Sequence, residues 1–424
     1  MNETGRETSL HAFAGRQTEE YPFYPITMMY AADLIGKPYR EYATNAEVLV
    51  EGQVAIAERF GASHVSAISD PCVESSDLGA PVHFYDDFPP ANVEENALVA
   101  EKSALTRLAV VDPSRGERMS NRLEAVRLLA EGVGDDCLVE GWVEGPCAEA
   151  ADLRGINRIM MDFFDDKEFV ESLLDFVTAQ EIAFALAQIN AGADIIGIGD
   201  AASSLIGPEI YSEFILPRTQ KYFEAIHKAG ALVRLHICGR IEPLYPHLGE
   251  LEIDLIDVDA MNPLPEAREI LGERPVICAN LDPVAEVKNG TPESIENRLA
   301  ETVNEVQRKF AVGAGCEIPR GTPEENLLAM RAFAARKGIG HSRTVLSYSV
   351  WFTWIYNHSR ASILVAVLAH FSVNPTIGAA VEGGGAPIAG SRRPFFGGGN
   401  DDGRERTTAA GPRSRAAPLR KGLR

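Results

Sequence analysis

The chain has 424 residues, 45% of them apolar and 24% charged, with a net charge of −21 and a pI near 4.9. That length can bury a large core, and the acidity excludes the basic footprint of a nucleic-acid binder. The first residues lack a basic stretch followed by an apolar run, so no secretory signal is expected and the compartment reads as cytosolic. The six cysteines are therefore expected as thiols or metal ligands, not disulfides.

In chain order, residues 1–20 are polar and are expected to be frayed. From 21 to 338 short apolar runs alternate with amphipathic segments. Candidate strands are SHVSAIS (63–69), CLVEGWV (137–143), ADIIGIG (193–199), ALVRLHI (231–237), DLIDVD (254–259), PVICAN (275–280) and KFAVGAG (309–315). Between them, NAEVLVEGQVAIAERFG and TPESIENRLAETVNEVQRK carry apolar residues at helical spacing. The second opens with Thr291 as N-cap and Pro292 at the first helical position, where its missing N–H costs nothing. Buried strands alternating with helices imply a parallel sheet. Seven or eight such units fit a (β/α)8 TIM barrel better than an open sheet, and no glycine-rich phosphate fingerprint supports a dinucleotide fold.

After Gly340 the character changes. Residues 344–374 are strongly apolar, but Asn357, His358, Ser359 and Arg360 divide them. Neither part reaches the roughly 20 apolar residues of a membrane-spanning helix. Residues 375–424 are Gly-, Pro- and Arg-rich and are expected to be disordered. The organisation is thus an N-terminal segment (1–20), a barrel (21–338), an apolar appended segment (339–374) and a tail (375–424), a non-barrel extension following the barrel.

In VRLHICGR, His236 and Cys238 lie two apart on a strand, so both point to one face. They end that strand before a glycine, at the C-terminal mouth where barrels keep their chemistry. Cys316, in GAGCEIPRGTPEEN, ends the last strand after three small residues. One His and two Cys form a soft ligand set that suits Zn2+ and leaves a fourth position open. The alternative is that each cysteine is a small buried hydrophobe, which is the expectation for Cys137 and Cys278.

LHICGR, ICANLDP and GAGCEIPRGTPEEN together resemble the uroporphyrinogen decarboxylase superfamily, within it the cobalamin-dependent methyltransferase branch of methylcobamide:coenzyme M type. Residues 57–84, 141–155 and 191–217 share the resemblance, which spans about 21–338. It implies zinc held by His236, Cys238 and Cys316, a methylated corrinoid such as methylcobalamin or a corrinoid protein as donor, and a small thiol as acceptor. True decarboxylases instead grip substrate carboxylates with an arginine-rich RQAGRY-type stretch, which YPFYPITMMYAADLIGKPYREY does not contain. A separate stretch, 344–374, resembles the closing segment of CAAX-type intramembrane proteases, with His370 and Asn374 at its last motif. The paired glutamates of those proteases are absent, so the segment reads as an appended fragment without stable membrane insertion.

Asp70, in SDPCVESSDLG, resembles the aspartate that decarboxylases place at a pyrrole ring, and Asp70 and Asp259 are the candidate catalytic carboxylates. Some relatives carry an acidic residue just after the position of Asp259, where this chain has Ala260. Glu144, Asp200 and Asn280 are candidates for lining the substrate pocket. Each has a structural alternative: a cap or ion pair for Glu144, a helix cap for Asp200, a loop cap for Asn280. Glu317 is expected to face solvent. A uroporphyrinogen decarboxylase-type lyase and a non-catalytic corrinoid or tetrapyrrole binder stay open beside the methyltransferase, as does a homo-oligomer.

Overall fold

All seven apolar runs form strands. The computed structural model describes residues 3–336, and the expectations for 339–374 and 375–424 lie outside the described residues. In chain order the strands are β1 (His64–Ser66), β2 (Val82–His83), β3 (Ala91–Asn92), β4 (Leu138–Glu144), β5 (Ile195–Gly199), β6 (Leu232–His236), β7 (Leu255–Val258), β8 (Val276–Leu281) and β9 (Phe310–Ala314). The antiparallel β2–β3 pair is a separate hairpin. The others make one parallel sheet in the order β1-β4-β5-β6-β7-β8-β9.

Pro22–Tyr24 closes the ring. Phe23 forms a parallel bridge to Val312 of β9. On its other side the Phe23 carbonyl accepts from Ser63 N at 2.8 Å, just before β1. This segment takes the place of an eighth strand, and the architecture is the expected TIM-barrel type. It was not among the candidate strands, because a three-residue run beginning at a proline offers almost no alternation to read.

The helices follow their capping signals. Ala46–Phe60 starts at Asn45, whose side chain accepts from Glu47 N, and stops at Gly61, where φ of 66° favours glycine. Pro292–Val306 starts at Thr291, which accepts from Ser294 N at 3.2 Å. Both helices pack apolar faces into the main core between sheet and helix layer.

The expectation of a frayed N-terminus is corrected. Gly5–Phe13 is a helix with a capping box at Thr4 and Glu7. Its Ala12 is buried in a second apolar cluster with Leu138, Ile195, Leu255, Val276 and Ala311. These positions are the first inward-facing layer of their strands, so the helix plugs the bottom of the barrel. Arg6 anchors it by a two-pronged ion pair with Asp194. Its polarity belongs to the outer face of a plug, which a composition average cannot separate from disorder.

The next layer up is ionic. The guanidinium of Arg234 is fully buried in the barrel interior, where it pairs with Asp257 at 2.8 and 2.9 Å and with Glu140 at 3.2 Å. His64 and Tyr24 stack beside it, ring centroids 4.4 Å apart. Above that layer, at the strand C-termini, lies the candidate site.

Candidate metal centre

β6 alternates Leu232, Arg234 and His236 into the lumen, one residue per layer. His236 is therefore carried to the mouth by the same strand that buries Arg234. Cys238 follows as the strand ends, and Gly239 turns the chain at φ of 92°. Cys316 follows β9 on the far side of the ring.

The three side chains converge. His236 Nε2 is 2.9 Å from Cys238 Sγ, the two sulfurs are 3.5 Å apart, and Cys316 Sγ is 3.8 Å from His236 Nε2. Among the described residues they are the one group of at least three His, Cys, Asp or Glu whose ligand atoms gather within 4.8 Å. Tetrahedral zinc, with Zn–S about 2.3 Å and Zn–N about 2.0–2.1 Å, requires edges of about 3.8 Å between sulfurs and about 3.5 Å between sulfur and nitrogen. The observed triangle matches two edges to within about 0.3 Å and is tight on the third. The donor set fits a soft divalent ion.

Without an ion the same atoms share protons. Hydrogen bonding from Cys238 and the neighbouring His236 pull the Cys316 thiol down to about 4. Its thiolate and burial push Cys238 up. Burial would lower the His236 imidazole, but Asp257 and Cys316 outweigh it and raise it to about 9. A thiolate beside an imidazolium is a cluster poised to exchange protons for a cation.

Residues outside the triangle fix its geometry. Asp257 Oδ2 is 3.0 Å from His236 Nδ1. Burial alone would raise this carboxyl, yet Arg234 and His236 hold it far below the carboxylate range. It can therefore only accept, which keeps a proton on Nδ1 and leaves Nε2 as the nitrogen that faces the sulfurs and would give up its proton to a cation. Asp259 ties the two cysteine loops together: its carboxylate accepts from Gly239 N at 3.0 Å and from Ala260 N at 2.7 Å, and it packs against Gly315. Asn262 braces the same turn through the Gly239 carbonyl at 2.9 Å and Ile241 N at 2.7 Å. Trp142 lies across Gly197 and Gly199, where a Cβ at Gly197 would run into the indole. Its ring centroid is 6.0 Å from that of His236.

Two cavities open on the cluster. The smaller, about 160 Å3, is bounded by His236, Cys238, Cys316, Trp142, Asp70, Glu144 and Glu317. The larger, about 570 Å3, shares Cys238, Glu144, Pro71 and Ala201 with it and extends toward Asp152, Asn92 and Glu94. The candidate residues divide accordingly. Asp70 borders the smaller cavity but is engaged by Arg118 at 2.6 Å and Ser69 at 2.8 Å. Glu144 borders both. Asp200 borders neither: it accepts from Ala148 N at 2.8 Å, capping the helix Pro146–Arg154 from across a loop, and from Ser203 at 2.5 Å. Asn280 also borders neither, and its amide oxygen accepts from Arg298 of the outer helix at 3.1 Å. Glu317 does not face solvent. It borders the smaller cavity and accepts from Met29 N at 2.8 Å, because the Pro22–Tyr24 segment leads the chain across the mouth. Sequence reasoning missed Asp257, Arg234 and Trp142; for the first two, ionisable residues two apart in apolar runs (Arg234 with His236, Asp257 with Asp259) were the available signal.

The chain matches the family Uroporphyrinogen decarboxylase (URO-D) over residues 4–336. It belongs to the uroporphyrinogen decarboxylase family. Within it, a methylcobamide:CoM methyltransferase of Methanosarcina barkeri is 26% identical over 76% of this chain and 95% of its own length. A second, from Methanosarcina mazei, is 33% identical over 50% of this chain, and the match spans only 62% of that relative. A uroporphyrinogen decarboxylase of Nocardia farcinica is 27% identical over 66% of this chain and 77% of its own length. The solved structure of a methyltransferase from Methanosarcina mazei superposes with a TM-score of 0.68 at 24% identity, over 79% of this chain and 98% of the other, and shares the fold. Among the described residues of this family member no helix is long and apolar enough to cross a membrane.

Proposed function

We propose that this uroporphyrinogen decarboxylase family member is a methyltransferase that moves a methyl group from a methylated corrinoid to a small thiol, with zinc held by His236, Cys238 and Cys316. The observation that carries the reading is the triangle of 2.9, 3.5 and 3.8 Å at the barrel mouth. The two methyltransferase relatives support it by their activity. The corrinoid is expected on a separate protein that docks over the mouth.

Zinc in this ligand set would supply Lewis acidity that lowers the pKa of an incoming thiol from near 8.5. The chain's own residues do the rest. Cys238 and Cys316 give the soft donors and stay ligands. Asp257 fixes the tautomer and direction of His236, and Asp259 holds the two cysteine loops in register. Trp142 walls the smaller cavity and keeps it narrow. In the net reaction the acceptor releases its S–H proton to solvent and a sulfur–carbon bond forms. The cobalt–carbon bond breaks, its electron pair remaining on cobalt.

A decarboxylase acting on a tetrapyrrole is less well supported, since among the described residues no Arg or Lys lines either cavity to pair with its several carboxylates. A purely corrinoid-binding role has no use for two converging thiols. The test is zinc stoichiometry by plasma mass spectrometry, together with methylcobalamin turnover against thiols with and without chelator. About one zinc per chain is expected, lost in His236→Ala and Cys316→Ala. Turnover that survives complete zinc removal refutes the proposal.

A further inference from the structure

The charge around the larger cavity is one-sided. Glu144 and Asp152 form part of its wall and Glu94 its rim, and among the described residues no Lys, Arg or His lines it. Glu144 is buried, and among the described residues its carboxylate has no cationic partner within ion-pair distance; it faces Glu74, Asp152 and Asp200 instead. Behind it Glu149 is fully buried against Asp152, Glu74 and Glu144, and neither of its oxygens has a hydrogen-bond partner among the described residues. The basic residues of the surrounding loops are committed elsewhere: Arg118 to Asp70 at 2.6 Å, Arg154 to Asp162 at 2.7 Å, Arg320 to Asp33 at 2.7 Å and Arg240 to Glu242 at 2.6 Å. Arg158 reaches Glu94 only at its backbone carbonyl, 3.1 Å away.

A volume of about 570 Å3 suits a small molecule. Carboxyls buried without counter-charge hold their protons while the cavity is empty; an incoming ammonium group favours their ionisation and supplies N–H donors, whereas a sulfonate meets no cation among the described lining residues. We propose that the cavity beside Cys238 selects a thiol bearing an ammonium group on a short chain, held by Glu144 and Asp152, and discriminates against sulfonate thiols. This rests on the methyl-transfer reading for its consequence but not for its binding test.

The full chain, dialysed against zinc, is titrated calorimetrically with three thiols of similar size: 2-aminoethanethiol, 2-mercaptoethanol and 2-mercaptoethanesulfonate. The same thiols are then offered methylcobalamin. The aminothiol is expected to bind at least 10-fold more tightly than the sulfonate. Asp152→Asn should bring the two within about 3-fold. Glu94→Gln, at the exposed rim where folding is not at risk, should narrow the gap by a smaller factor. Equal or tighter binding of the sulfonate, or no binding of any of the three, overturns the proposal. Preferred binding of the aminothiol with no methylation of any thiol would leave charge selection standing and sink the methyl-transfer reading. Methylation with the sulfonate preferred would do the reverse.

Discussion

Asp257→Asn tests the coupling between the buried ionic layer and the metal centre. Asp257 makes two charge-assisted bonds to Arg234, at 2.8 and 2.9 Å, and a third contact to His236 Nδ1 at 3.0 Å. Arg234 has no access to water, so removing one partner of its ion pair falls in the class that costs about 3–5 kcal/mol. Glu140 remains 3.2 Å from Arg234 and takes up part of the charge, which favours the lower end, about 3 kcal/mol. At roughly 2–3 °C per kcal/mol for a domain of this size, the melting temperature should fall on the order of 6–9 °C. The loss for zinc is separate. Replacing the carboxylate that orients a metal-bound imidazole weakens binding by about 10–100-fold. Calorimetric melts give the first quantity, and competition with a coloured zinc chelator gives the second. A variant that is folded and holds zinc as tightly as the parent would refute the claim that Asp257 orients His236, whatever its melting temperature.

Stability should fall as pH rises from about 5 to 8. Burial, with neighbouring acids, pushes Glu74 and Asp152 up to about 7 and Glu144, Glu149 and Glu181 higher still. Carboxyls of the unfolded chain titrate near 4, so across this window the folded chain holds protons that the unfolded one has released. Each such proton contributes about 1.4 kcal/mol of lost stability per pH unit. Glu149→Gln combined with Glu181→Gln should flatten the slope, and a parent melting temperature constant over pH 5–8 would contradict the reasoning. Gly197→Ala should cost about 1–3 kcal/mol by driving a Cβ into the Trp142 ring, and should lower turnover by displacing that wall. Gly132→Ala, in the helix Glu117–Val133 with open space at its Cβ, is the control and should stabilise by about 0.4–1 kcal/mol. Thermal melts of both variants decide the matter.

The seven strands of the parallel sheet and the cysteine–histidine triangle were legible in the sequence, because apolar runs and a His-x-Cys at a strand end carry their geometry with them. Other features depend on which side of a strand or helix a residue occupies. Arg234, Asp257 and Glu140 interrupt apolar strands at alternate positions, which places them in the lumen only once the barrel is closed. Glu74, Glu149 and Glu181 stand on helices where a carboxylate ordinarily marks the solvent face. Only the packing of their helices around β4 turns them inward. Asp200 and Asn280 sit at strand ends as expected, but a helix N-terminus and Arg298 claim their polar atoms.

The seam at Phe23 has a consequence for biogenesis. His236 and Cys238 precede Cys316 in the chain, and Cys316 follows β9, which in the closed barrel pairs with a segment from the opposite end of the chain. On the proposed zinc reading, all three ligands come together only in the closed ring, and a half-made cylinder would offer the ion two of them.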